Sequence, residues 1–230
     1  MAGRPGPGTT IARRAAARVA VALLALLASC RDAAPRREIA LRDGPVVLDQ
    51  AHLLYAVDFR GRDLPEGWTV ETGSWKATPE GLEGRIDAER AAVIWCDRTF
   101  PADVAVRYWA EAIPPHTTDA NAFFRASGRI YGTGDTTAWI AGIAGWHRFE
   151  DGLEKNPSGP SWRVPGEPLA AGTTVEVIAG GRGAQLFLWK DGKVRVEGED
   201  TAQAVPGQVG LGTWNSAIRF VRLCVYRVGS

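Results

Sequence analysis

Histidine and cysteine are scarce in this chain of 230 residues, at three each, and their scarcity narrows the chemistry. His52, His116 and His147 stand apart, with no other His or Cys at i+2 or i+4, so the spacing of a zinc site is missing. No G-x-S-x-G elbow marks a serine nucleophile, and Gly180-Gly181-Arg182-Gly183 reads as a strand connection, not a phosphate loop. Basic charge is also thin. The four arginines of residues 1–29 have no acidic counterpart there; without them 23 basic residues face 26 acidic ones, a net charge near −3. No basic cluster is left to attract nucleic acid. Past residue 30 no helical period is sustained, and no repeat of 20–50 residues recurs.

What is present begins with a targeting signal. Arg13, Arg14 and Arg18 form a positive region, and Val19–Ala28 is an apolar run of about ten residues. That is too short to cross a hydrocarbon core roughly 30 Å thick. Leu27-Ala28-Ser29-Cys30 resembles a bacterial lipobox, in which the cysteine becomes the first mature residue and carries lipid. Residues 1–29 are therefore expected to be a lipoprotein signal peptide, with Cys30 the lipidated residue and the protein held at the envelope, outside the cytoplasm. Several acyl chains, at roughly 0.8 kcal/mol per buried CH2, anchor stably. Arg31 after Cys30 suits the outer membrane of a diderm cell. Two cysteines remain. In an exported protein Cys96 and Cys224 form either a disulfide or two buried thiols acting as small hydrophobes, and the thiol reading is the stronger.

Residues 30–50, with Pro35, Gly44 and Pro45, read as a tether holding at most a short edge strand at Val46–Leu48. Residues 51–230 read as one all-β domain, a two-sheet antiparallel jelly-roll β-sandwich. In Ala91–Ala110, Val104, Val106 and Tyr108 alternate with Ala105, Arg107 and Trp109 beyond a corner at Pro101–Asp103. Asn121–Ser127 puts Asn121, Phe123 and Arg125 on one side and Phe124 on the other. Gly142 and Gly145 mark a bulge in a strand over Thr136–Trp146. Phe149–Pro168 reads as a long irregular connection. Asp191-Gly192 between apolar pairs signals a two-residue hairpin, because both turn positions need positive φ.

Three stretches resemble the concanavalin A-like lectin/glucanase superfamily: Asp58-Phe59 through Gly67-Trp68, Gly73-Ser74-Trp75 and Gly81-Leu82; Leu188-Trp189-Lys190-Asp191-Gly192-Lys193; and Gly207–Trp214 with Ile218-Arg219-Phe220. Within it, Val93–Pro101, Asn121–Ser127 and Gly145-Trp146-His147 are similar to the YesU-like family, of unknown function and associated with bacterial use of pectic polysaccharides. The resemblance implies a jelly roll over about Tyr55–Val228 and a saccharide partner, without catalytic residues to carry over. The E-x-D-x-x-E strand motif of laminarinase-type glucanases does not occur, and Glu197-Gly198-Glu199-Asp200 reads as a solvated hairpin end.

Nine tryptophans are the main functional lead. Trp68, Trp75, Trp95 and Trp189 are expected in the core. Aromatic faces match the C–H face of a pyranose, while amide, carboxylate and guanidinium groups meet its hydroxyls. The candidate ligand-binding residues are Arg107, Trp109, Glu111, Asn121, Arg125, Trp139, Trp146, His147, Arg148, Trp162, Trp214 and Asn215. Arg107, Trp109 and Glu111 share one face of a strand and form the leading surface. No metal site is expected, although Asp119-Ala120-Asn121 offers oxygens to a structural calcium without a full ligand set. Three readings follow: a lipid-anchored carbohydrate-binding domain; a glycoside hydrolase or lyase with unconventional acids such as Glu111 and Glu150; and a non-catalytic envelope lipoprotein that holds a protein partner.

Overall fold

A computed structural model describes residues 36–61, 63–130, 136–146 and 148–229. The signal region, Cys30 and His147 lie outside the described residues. Apart from one 3-10 turn at Gln50–His52, the regular structure described is all strand. The strands are β1 (Arg37–Ile39), β2 (Val46–Leu48), β3 (Leu53–Asp58), β4 (Trp68–Thr72), β5 (Ser74–Thr78), β6 (Gly81–Arg85), β7 (Ala91–Phe100), β8 (Val104–Ala112) and β9 (Ala120–Ala126). They continue with β10 (Ala138–Gly145), β11 (Glu150–Asn156), β12 (Ser161–Pro165), β13 (Val175–Arg182), β14 (Gln185–Lys190), β15 (Lys193–Glu199), β16 (Gly207–Trp214) and β17 (Ala217–Arg227).

Two antiparallel sheets face each other as a jelly-roll sandwich. One runs β12-β11-β10-β9-β16-β7-β4; the other runs β15-β14-β13-β8-β17-β6-β5, with β3 also paired to β17. Alternation decides what lies between them. Ile94 and Cys96 of β7, Ala122 and Phe124 of β9, and Val209 and Leu211 of β16 meet Val106 and Tyr108 of β8 and Leu186 and Leu188 of β14. The stretch Ala91–Ala110 thus crosses the sandwich, with β7 in the seven-stranded sheet and β8 in the eight-stranded one. Its corner is pinned from two sides. Arg125 Nε donates to the Ala102 carbonyl at 2.7 Å and its Nη2 to that of Gly183 at 2.9 Å, while Asp103 accepts from Gly183 N at 2.7 Å.

The Asp191-Gly192 hairpin forms as expected, with φ of 43° and 95°. Two stretches differ from expectation. Phe149–Pro168 is no irregular loop, since most of it forms the hairpin β11–β12 at the edge of the seven-stranded sheet. Asp151, Leu153, Trp162 and Val164 point inward there, and the polar residues between them disguise the alternation. The short edge strand expected at Val46–Leu48 is β2, and it pairs with β1 inside the stretch expected as tether. This hairpin is fastened to the outer side of the eight-stranded sheet. Arg37 Nη2 binds Glu176 at 3.0 Å and lies over the Trp189 ring, and Arg182 donates to the carbonyls of Asp43, Gly44 and Pro45. Trp189 is buried there and not in the central core.

Cys96 and Cys224 are both buried, in strands of opposite sheets that are not paired, and no disulfide joins them. Burial raises the pKa of the Cys96 thiol, which favours its inert, neutral form.

Candidate functional site

The outer face of the seven-stranded sheet is built from glycine and aromatic rings. β16 presents Gly210 and Gly212 outward, β10 presents Gly142, and β11 presents Gly152. A methyl group on Gly210 would stand 2.6 Å from the Trp95 ring, and one on Gly212 would stand 2.8 Å from Phe123. Methyls on Gly142 and Gly152 would come within 3.1 Å and 3.0 Å of the Trp146 indole. Each ring therefore lies down on bare backbone, which no residue with a β-carbon would allow without a shift. Trp95, Phe123, Val93 and Ala138 form a second apolar cluster on this face, separate from the central core. The Trp95 indole N–H is satisfied by Glu71 at 2.5 Å.

Beside this floor opens a cleft of about 670 Å³. Phe123 and Ile140 line its apolar part, and Trp146 and Trp214 wall it. Trp214 is 43% exposed, the largest exposure among the large hydrophobic residues described. Polar groups line the rest: Asn121 from β9, Glu154 and Asn156 from β11, Thr118 and Asp119 before β9, Asn215 after β16, and Glu89 before β7. The Trp146 indole donates to Glu154 at 2.9 Å, and Arg163 both pairs with Glu154 and covers the Trp146 ring at 4.7 Å.

Asp119 is the organising side chain. Its carboxylate accepts the backbone N–H of Trp214 and, at 2.8 Å, the Asn121 amide N–H. It thereby ties the end of β16 to the start of β9. Only 7% of Asp119 is exposed, and desolvation raises its pKa to about 7 against the two hydrogen bonds, which lower it. The backbone here is also unusual. Asp119, Ala144, Trp146, Phe149 and Asn215 all have φ between 44° and 70°. Left-handed conformations in residues other than glycine cost about 1–3 kcal/mol each, and such residues gather at functional sites.

Of the residues singled out in sequence, Asn121, Trp146, Trp214 and Asn215 come together in this cleft. Arg107, Trp109 and Glu111 lie on the opposite side of the molecule, on the outer face of the eight-stranded sheet. Their polar groups are engaged there. Arg107, 2% exposed, pairs with Glu176; Glu111 pairs with Arg219 at 3.4 Å; and the Arg107 and Arg222 guanidiniums lie over the Trp109 ring at 4.8 and 6.0 Å. Trp139 is 3% exposed and stacks on Trp162 inside the sandwich. Arg125 belongs to the β7–β8 corner, Arg148 is an exposed turn residue that does not line the cleft, and Glu150 does not line it either.

Asp119, Phe123, Glu89, Glu154 and Asn156 were not among the ligand-binding candidates. The sequence signal for Phe123 is its alternation with Asn121, and for Glu154 and Asn156 it is the alternation of β11, which polar residues disguise. The Trp214 and Asn121 N–H donors both meet Oδ2 of Asp119. Among the described residues no three Asp, Glu, His or Cys side chains converge to hold a metal.

No protein-family model and no curated protein matches the chain. Solved structures do match its fold. A Bacillus subtilis protein of unknown function with a galectin-like fold aligns with a TM-score of 0.64 at 16% identity, covering 84% of this chain and 99% of that one. The carbohydrate-binding module CBM66 from Bacillus subtilis aligns at 0.55 and 17%, covering 71% and 94%. A Bacillus licheniformis β-glucanase aligns at 0.55 and 10%, covering 75% and 97%. The chain is thus similar in fold to concanavalin A-like and galectin-like jelly rolls.

Proposed function

We propose that this chain is a saccharide-binding domain, lipid-anchored at Cys30 outside the cytoplasm, and that its site is the cleft on the outer face of the seven-stranded sheet. One observation carries the reading: the half-exposed Trp214 shares a cleft of about 670 Å³ with three asparagines and three acids. That volume falls in the usual range for small-molecule sites, and an aromatic wall with convergent amides and carboxylates suits a pyranose ring. Support also comes from the fold, which CBM66 and a β-glucanase share. The similarity to the YesU-like family suggests a place in polysaccharide use.

A second reading is favoured by Asp119. A carboxyl that keeps its proton to about pH 7 inside a cleft containing Glu154 has the character of a general acid, as glycoside hydrolysis or lyase chemistry needs. Glu111, ion-paired on the other sheet, is not placed for that role. A glycan array run beside a reducing-end release assay separates the two. Binding without product is the expected result; product lost in Asp119→Asn favours the enzyme, and neither binding nor product rejects both. The anchor has its own test. Labelled palmitate is expected to enter the protein and to be lost in Cys30→Ala, whereas a variant that still labels overturns the lipid assignment.

A further inference from the structure

Resting on the saccharide reading, we infer that the cleft selects sugars that carry no carboxylate. The argument is one of charge. Three acids, Glu89, Asp119 and Glu154, line the cleft, and among the described residues no lysine or arginine does. The cations nearest in sequence are otherwise placed: Arg163 is spent on Glu154 and the Trp146 ring, while Arg90 and Arg148 are exposed and do not line the cleft. Glu89 is exposed, and no hydrogen bond or ion pair ties it to a described residue.

Strong recognition of a sugar carboxylate calls for a guanidinium fork or an ammonium, whose charge offsets the lost hydration. Here the Trp214 backbone N–H and one hydrogen of the Asn121 amide are already turned to Asp119. A uronate would bring a further negative charge beside Glu89, with Arg163 already paired to Glu154 and no cation among the described lining residues to offset its lost water. Hydroxyl groups carry no charge to desolvate, and the Asn215 amide can both donate to and accept from them, while Asn156 and Thr118, which donate to Thr136 and Ser216, keep oxygens that accept.

Calorimetry on the full chain with matched oligosaccharide pairs differing only at C6 tests the inference. Galactose against galacturonate, glucose against glucuronate, and galacturonate methyl ester against free galacturonate serve at pH 8 and low ionic strength. In each pair that the protein recognises, the uncharged member is expected to bind about tenfold or more tightly, and Glu89→Gln to narrow the gap. Equal or tighter binding of an acid member overturns the selectivity while leaving the saccharide reading intact. Failure of every pair, neutral members included, removes the saccharide reading and this inference with it.

Discussion

Asp119 is the residue on which the geometry of the cleft turns, and its ionisation links folding to pH. Burial lifts its pKa from an ordinary carboxylate value near 4 to about 7. The folded state therefore holds this proton more tightly than the unfolded chain. The resulting stabilisation is complete below about pH 4 and is lost as pH rises through 7, by at most about 4 kcal/mol. Asp58 and Asp200 act in the opposite sense. Their pKa values are lowered by hydrogen bonds and nearby cations that outweigh desolvation, so their contribution is lost as pH falls through the acid range. Asp119→Asn keeps an acceptor for Trp214 N–H and removes the titration. Chemical denaturation between pH 5 and 8 is expected to show the variant gaining on the parent as pH rises. A constant difference across that range would mean that Asp119 does not titrate there.

At the scale of strands, the glycines of β10, β11 and β16 make the floor and the rings on it a single unit. In Gly212→Ala the new methyl would lie 2.8 Å from both the Ala92 carbonyl and the Phe123 ring, and the carbonyl belongs to a paired strand that cannot easily yield. A loss of about 1–3 kcal/mol in urea denaturation is expected, with Phe123 displaced into the cleft. Unchanged stability would mean that the floor is more open than the structure shows. Strand alternation and the Asp191-Gly192 turn made most of the sandwich legible in sequence, including both halves of Ala91–Ala110. The β11–β12 hairpin was not legible, because its outward face is polar and Pro157, Gly159 and Pro160 interrupt it. Of the hairpin β1–β2 only the strand Val46–Leu48 was legible, since β1 is three residues long and two of them are charged.

For the whole molecule, the decisive fact is which sheet each strand joins. Alternation says that Trp109 and Trp214 both face outward; it is silent on the fact that β8 and β16 belong to opposite sheets. The candidate residues thus divide into two surfaces. On one, Arg107, Trp109 and Glu111 are held among partners of the fold itself; on the other, Asn121, Trp146, Trp214 and Asn215 enclose space. The cleft depends on contacts distant in sequence: Asp119 holds Trp214, and Asn121 lies opposite both Gly142 and Gly212. No local pattern announces such contacts. The most direct test of the account is calorimetric titration of the parent, Trp214→Ala and Trp109→Ala with a neutral oligosaccharide that the parent binds. Trp214→Ala is expected to weaken binding by about 1–3 kcal/mol with its melting curve unchanged, and Trp109→Ala to bind as the parent does. Binding lost in Trp109→Ala and kept in Trp214→Ala would contradict the placement of the site.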